Sequence, residues 1–233
     1  MKNMFKIVLL CLIFLGTSCS VNYDLIVTSD KKYIEKLVVT MPREAYYEDD
    51  KLAEKQIEDL IDDFKNLERG ANLYKYNYQI TKEWVYFTIS QKHSSFFGYK
   101  NSLIYSKLFE QMELVEENTY KLTVKGYLVD NEEGLPLIWE KEMAIEIQFH
   151  NEVISSNANE TNNFDNTYTW YLDENLVDNG INVELSDKIR YDVVARYYFM
   201  QNILTIGLVT TITLFAGFIY YRWHKQEQIR NQL

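Results

Sequence analysis

The sequence predicts an α+β fold: an antiparallel sheet with one or two packed helices, followed by one C-terminal transmembrane helix. Three observations predict it. Short runs with period-two alternation recur between residues 23 and 185. One segment, residues 52–67, repeats apolar side chains at helical spacing. Near the C-terminus, residues 203–221 form nineteen positions without a charge, about 28 Å as a helix and close to the hydrocarbon thickness of a bilayer. Aromatic residues are 15% of the chain, nineteen of them Tyr, against 8 Gly and 2 Pro. That balance favours a packed, strand-rich body and excludes collagen-like and Pro/Gly-rich disordered chains.

Tyr23–Thr28 and Tyr33–Met41 read as a hairpin, with Ser29-Asp30-Lys31-Lys32 as the turn and Pro42 closing the second strand. Asp49 or Asp50 can cap a helix beginning at Lys51. Leu52, Ala53, Ile57, Leu60, Ile61, Phe64 and Leu67 form its apolar stripe, and Gly70 suits the position after its end. Residues 73–80 and 84–90 are two further alternating strands around the turn Thr81-Lys82-Glu83. Residues 101–112 read as a weaker helix. Strands are expected at 119–129, 143–150, 151–156, 167–172 and 181–185, with 155–166 as a polar surface loop. A single sheet of seven or eight strands accommodates them.

The N-terminus carries Lys2 and Lys6, then the apolar run Ile7–Leu15, then the small residues Gly16, Thr17 and Ser18 before Cys19. This is the layout of a secretory signal, and its apolar run is too short to span a bilayer comfortably. Leu15-Gly16-Thr17-Ser18-Cys19 resembles a bacterial lipobox, which makes Cys19 the expected acylation site. It departs from that pattern in having Gly16 three residues before the cysteine, where Leu is preferred. The alternative is an ordinary signal peptide followed by an incidental cysteine. Cys11 and Cys19 are the two cysteines, so the rest of the chain has no thiol, disulfide or cysteine metal site.

At the other end, Tyr220, Tyr221 and Trp223 border the apolar block on one side and Tyr197, Tyr198 and Phe199 lie near the other. Arg222, Lys225 and Arg230 follow it, which by the positive-inside rule places the tail in the cytoplasm. The sequence thus divides into a lipoprotein signal peptide (1–18), an extracytoplasmic α+β domain (19–186), a juxtamembrane segment (187–202), a transmembrane helix (203–221) and a cytoplasmic tail (222–233). The expected location is the cell membrane, lipid-anchored and single-pass. Outside residues 19–202 lie five basic residues and one acidic, so this stretch keeps 19 basic against 33 acidic, a net charge of −14. A balance of that sign argues against nucleic acid as a partner and against a broad basic face for anionic headgroups.

Of the motifs that carry chemistry, G-x-S-x-G, the phosphate loop, H-E-x-x-H and the kinase set are absent from the sequence. His93, His150 and His224 are far apart, with His224 on the cytoplasmic side, so no histidine triad, metal site or cofactor is expected. Acidic pairs such as Asp62-Asp63 lack EF-hand spacing. The one unusual constellation is the row Tyr74, Tyr76, Tyr78. It can line a groove for a sugar or lipid, or simply pack beneath the 52–67 helix.

The chain resembles the LppM-type domain family of bacterial surface lipoproteins. Three features carry this: the lipobox-like Cys19 followed by Val21-Asn22-Tyr23-Asp24-Leu25 and a hairpin into Leu37–Pro42; the late strand Asn166-Thr167-Tyr168-Thr169-Trp170-Tyr171-Leu172-Asp173 with its central Trp; and a single span with a short basic tail. The resemblance implies an α+β extracytoplasmic domain, a lipid- or glycolipid-binding role and no catalytic motif, and it carries over Cys19 as acylation site. Together these readings lead to the expectation of a non-enzymatic module binding an envelope lipid or glycolipid-like ligand at the membrane. The alternative is an accessory subunit whose span docks with a membrane protein partner.

Overall fold

In the computed structural model, residues 20–46, 48–67, 70–116, 119–124, 143–172 and 174–230 are described. The chain divides into two units, residues 1–190 and residues 191–233.

The first unit is built on a seven-stranded sheet. Strands β1 (Ser20–Val27), β2 (Tyr33–Pro42), β3 (Lys75–Ile80), β4 (Trp84–His93), β7 (Met143–Phe149), β9 (Glu160–Asn162) and β10 (Thr167–Tyr171) lie in the order β3-β4-β2-β1-β7-β10-β9. A second sheet has four strands in the order β5-β6-β11-β8: β5 (Phe109–Glu116), β6 (Thr119–Val124), β8 (Asn151–Ser156) and β11 (Ile181–Ile189). The expected single sheet is therefore two. The larger one is also not purely antiparallel, because β1 pairs in parallel with β7, Val21 opposite Met143 through Val27 opposite Phe149.

The β1–β2 hairpin forms as its turn residues direct. Thr28 accepts from Lys31 N–H through its carbonyl and exchanges bonds with Lys32, while Lys31 takes a positive φ of 56°. Thr81 plays the same part before β4: its N–H donates to the Trp84 carbonyl, and its hydroxyl both donates there and accepts from Trp84 N–H. Helix α1 (Asp50–Leu67) is capped by Asp49, whose Oδ1 accepts from Leu52 N–H at 3.0 Å. Its buried positions are Ala53, Ile57 and Ile61, whereas Leu52 is exposed and Leu60 half-buried. The apolar stripe is thus narrower than the expected one. Gly70 takes a φ of 94° and opens a short 3-10 turn over Ala71–Leu73 rather than ending α1 directly.

Residues 101–112 are not one helix. The short helices α2 (Phe96–Lys100) and α3 (Leu103–Leu108) are each capped by a serine, Ser95 accepting from Gly98 N–H and Ser102 from Tyr105 N–H. The chain then turns to strand at Phe109. The stretch expected as loop, 155–166, contains β9. A further short helix, α4 (Glu174–Asn179), joins β10 to β11. β11 continues to Ile189, past the expected end at Leu185.

Alternation in the large sheet sorts its residues cleanly. Tyr23, Leu25, Tyr33, Ile145, Ile147 and Trp170 point to one face and are buried. Phe109 of β5 and Ile181 and Val183 of β11 join the same apolar cluster, so the second sheet packs on this face. Ile57 and Ile61 of α1 meet Val85, Tyr76, Tyr78 and Phe87, which share that face further along. Burying side chains of this size stabilises by about 1.5–3 kcal/mol each.

The second unit is described by α5 (Tyr191–Arg230), a single helix of 40 residues. It includes residues 191–202 of the expected juxtamembrane segment, which read equally as a linker or as an extension of the span, within the same continuous helix. Its stretch Thr205–Arg222 is long and apolar enough to cross a membrane, and none of it is buried.

Candidate functional site

On the buried face of β2, between Tyr33 and Leu37, stands Glu35, with 0% of its surface exposed. Leu25 and Gln91 flank it on β1 and β4. An isolated carboxylate there would be very costly, so its partners decide whether it is tolerated.

Four side chains supply them. The His93 ring Nε2–H donates to Oε1 at 2.7 Å and the Tyr74 hydroxyl to the same oxygen at 2.9 Å. The Ser102 hydroxyl donates to Oε2 at 2.9 Å, and the Tyr23 hydroxyl reaches that oxygen at 3.4 Å. The Tyr99 hydroxyl lies 2.8 Å from that of Tyr23. Since a hydroxyl has one proton and Tyr23 turns its own to the carboxylate, the chain of donors runs from Tyr99 to Tyr23 to Glu35. Burial, above all, holds the Tyr23 and Tyr99 hydroxyls well above the usual phenol range, so they stay protonated as donors.

Local structure brings these groups together. The register of β2 against β4 sets His93 opposite Tyr33, two residues from Glu35 on the same face. Ser102 caps α3, and its oxygen accepts from Tyr105 N–H at 3.0 Å while its proton goes to Glu35. Tyr74 does a similar double duty, accepting from Leu103 N–H at 2.9 Å and Ile104 N–H at 3.3 Å. The first turn of α3 is therefore wired to the carboxylate through two hydroxyls. Tyr33 and Tyr99 stack with ring centroids 5.2 Å apart, and Tyr99 meets Tyr105 edge-on, closing the cluster in aromatic surface.

The tyrosine row is divided among three settings. Tyr74 is buried at Glu35. Tyr76 donates its hydroxyl to the Ala71 carbonyl at 2.7 Å, and burial pushes its pKa up to about 12. Tyr78 reaches Glu58 of α1 at 3.3 Å near the surface. Tyr76 and Tyr78 pack beneath α1, and the three hydroxyls do not converge on one point. Cys19 lies outside the described residues. Of the three histidines, His93 enters the Glu35 cluster and His150 is buried at the end of β7; the side chain of His224 is not among those described. Among the described residues, no group of three or more His, Cys, Asp or Glu side chains is placed to hold a metal.

Sequence reasoning missed this cluster, because Glu35, His93, Tyr99 and Ser102 are separated by up to 67 positions. One signal was available: in Tyr33-Ile34-Glu35-Lys36-Leu37, alternation puts Glu35 in step with Tyr33 and Leu37, on the core side.

No family model matches the chain, and no curated protein matches it in sequence. A solved structure similar to it is the NMR structure of the folded domain of the Mycobacterium tuberculosis LppM protein. The likeness has a TM-score of 0.42 and 10% sequence identity, and covers 76% of this chain and 94% of that one. Nothing about the site follows from it.

The cluster itself predicts a graded pair of losses. Tyr74→Phe removes a donor to Glu35 and the acceptor for two N–H groups, and is expected to cost about 1–3 kcal/mol. Tyr78→Phe removes only a long bond to a surface carboxylate and is expected to stay within about 0.5 kcal/mol. Urea unfolding of the full chain in detergent, followed by tryptophan fluorescence, measures both. Equal effects would mean that the Tyr74 hydroxyl adds nothing to the cluster.

Proposed function

We propose that this chain is a membrane-anchored extracytoplasmic lipoprotein, acylated at Cys19 and spanning the membrane once. Its body acts as a non-enzymatic binding module for a lipid or glycolipid-like envelope ligand. The observation that carries the anchoring is the exposed apolar stretch Thr205–Arg222. A core helix of a soluble protein would bury such a stretch, and this one has only Arg222 as a charge, at its end. With a signal at residues 1–18 and the basic tail from Arg222 inside, the body lies outside the cell.

Binding rather than turnover is supported by the state of the Glu35 cluster. A general base or nucleophile must reach a substrate proton or carbon. Glu35, Tyr23, Tyr74, Tyr99, His93 and Ser102 are all buried, and the carboxylate oxygens are occupied by the cluster's own donors. The arrangement ties β1, β2 and β4 to α3 and leaves no reacting group presented. Two anchors at a lipid surface keep the local concentration of headgroups and acyl chains high, which suits an amphiphilic ligand.

An accessory subunit of a membrane complex is the second reading. It is favoured by Gly207 and Gly217, where an added Cβ would meet nothing within 4 Å, leaving open backbone surface for a partner helix. Against it, Thr210, Thr211 and Thr213 donate their hydroxyl protons to carbonyls four residues back in their own helix.

Native mass spectrometry of the full chain, extracted from its own membranes in mild detergent, separates the two readings. The expected result is a non-covalent lipid retained on the protein in addition to the acyl mass on Cys19. Co-purification of a stoichiometric membrane protein without lipid, and no change in melting temperature with added envelope lipids, would overturn the lipid-binding reading in favour of the subunit.

A further inference from the structure

We infer that the body rests on the membrane through the open face of its seven-stranded sheet, with the strands running along the lipid surface. The inference rests on the two-anchor reading above and deepens it by naming the surface that meets lipid.

The first observation is where the body begins and ends. Ser20, the residue after Cys19, is the first residue of β1. Val27, at the far end of the same strand, accepts from His150 N–H through its carbonyl at 3.0 Å. The His150 carbonyl in turn accepts from Arg190 N–H at 2.8 Å, and Arg190 is the last residue of the body. The two points of attachment are thus separated by the length of β1, roughly 25 Å for eight residues at about 3.3 Å each.

An acylated Cys19 leaves no linker, so the Ser20 end lies at the headgroups. At the other end, the twelve residues of α5 before Ile203 span about 18 Å at 1.5 Å per residue. The headgroup layer takes up about 5–7 Å of that. The Arg190 end therefore stands no more than roughly 12 Å higher than the Ser20 end, over a strand of roughly 25 Å. β1 cannot stand upright and lies closer to the membrane plane than to its normal.

The second observation decides which side faces down. The four-stranded sheet, α1, α2 and α3 all pack toward the Tyr23–Glu35–Trp170 face. On the opposite face no described strand residue of the large sheet is buried. Its ionic residues are Asp24, Glu146 and Glu160 against Lys36, Lys75 and Lys92, a balance of zero, with Lys36 paired to Asp24 at 3.1 Å. Across the sheet, α1 carries six acidic residues against three basic. In a stretch of net charge −14, the open face is a neutral surface, and it also presents Trp84, Tyr86 and Tyr171. Tyr and Trp are side chains suited to the interfacial layer. An anionic bilayer repels the α1 side and accepts the open face.

The test uses the full chain reconstituted into vesicles of phosphatidylethanolamine and phosphatidylglycerol containing headgroup-labelled nitroxide lipid. Single cysteines are introduced at Asn77→Cys and Thr169→Cys on the open face, and at Lys55→Cys and Asp59→Cys on the exposed side of α1. Each carries a fluorophore. An acylated Cys19 is a thioether and takes no label. Severalfold stronger quenching at 77 and 169 than at 55 and 59 is the expected result. Equal quenching, or the reverse order, on protein whose N-terminal peptide carries the acyl mass overturns the inference while the two anchors stand. An unmodified Cys19 in the same mass spectrum overturns the two-anchor reading and the inference with it.

Discussion

Glu35→Leu is expected to be among the most damaging single changes in the body, at about 3–5 kcal/mol. The substitution keeps roughly the volume of the side chain and removes the acceptor. Tyr74, His93 and Ser102 then lose the oxygen they donate to, and all three are buried. Tyr23 retains Tyr99 as a partner, so the loss falls mainly on the other three. Glu35→Gln separates shape from charge. Its amide places a nitrogen among groups that are themselves donors, and Tyr74 has already accepted from two N–H groups, so it has little left to offer one. Gln is therefore expected to recover only part of the loss. Guanidinium unfolding of the full chain in detergent, followed by near-UV circular dichroism, checks both. Wild-type stability in Glu35→Leu would show that the cluster is replaceable by apolar packing, as some buried ionic groups are.

Trp170→Ala is expected to cost a similar amount, about 3–5 kcal/mol, for a different reason. Trp170 is 1% exposed and fills the space between the two sheets beside Tyr168 and Ile145. Its removal opens a cavity the size of an indole. Its Nε1–H also donates to Asn157 Oδ1 at 3.0 Å, the same oxygen that accepts from Asn182 N–H at 2.8 Å. Asn157 further donates its side chain to the Gly180 carbonyl. One asparagine thus joins β10 of the large sheet to the start of β11 in the small one, and Trp170 is its link to the former. Trp170→Phe keeps most of the volume and loses the bond, so it is expected to fall well short of the alanine cost. Equal losses in the two variants would assign the effect to the hydrogen bond instead of the cavity.

Much of the local structure was legible because local rules governed it. The β1–β2 turn was marked by Thr28, Ser29 and Asp30, although the positive φ falls on Lys31, a residue that does not favour it. α1 combined a cap at Asp49 with an apolar stripe of helical period. Where neighbouring residues satisfied two periods, the reading failed. Leu103, Ile104, Leu108, Phe109 and Met112 fit a helix by spacing, yet the chain extends at Phe109, whose ring meets Tyr23 and Tyr105. Tertiary packing there overrode a local pattern. The division into two sheets and the parallel β1–β7 pair depend on which distant segments meet, and no periodicity encodes that. The Glu35 cluster was hidden for the same reason. Its four donors come from β1, the approach to β3, the end of β4 and the cap of α3, which only the sheet register brings within reach.

The parallel pairing has a consequence for the chain as it is made, N-terminus first. Every β1–β7 pair joins residues 122 positions apart, while β1 and β2 are joined by a short turn. The hairpin can close as soon as residue 42 has been made, but the other edge of β1 has no partner until residues 143–149 follow. Throughout that interval Tyr23, Leu25 and Val27 lie on a strand with open backbone donors and acceptors along one side, a template for wrong pairing. Contacts of such long sequence separation also form slowly once the chain is complete. Newly made protein is therefore most vulnerable to proteases and to self-association at this strand, and least so once β7 has docked.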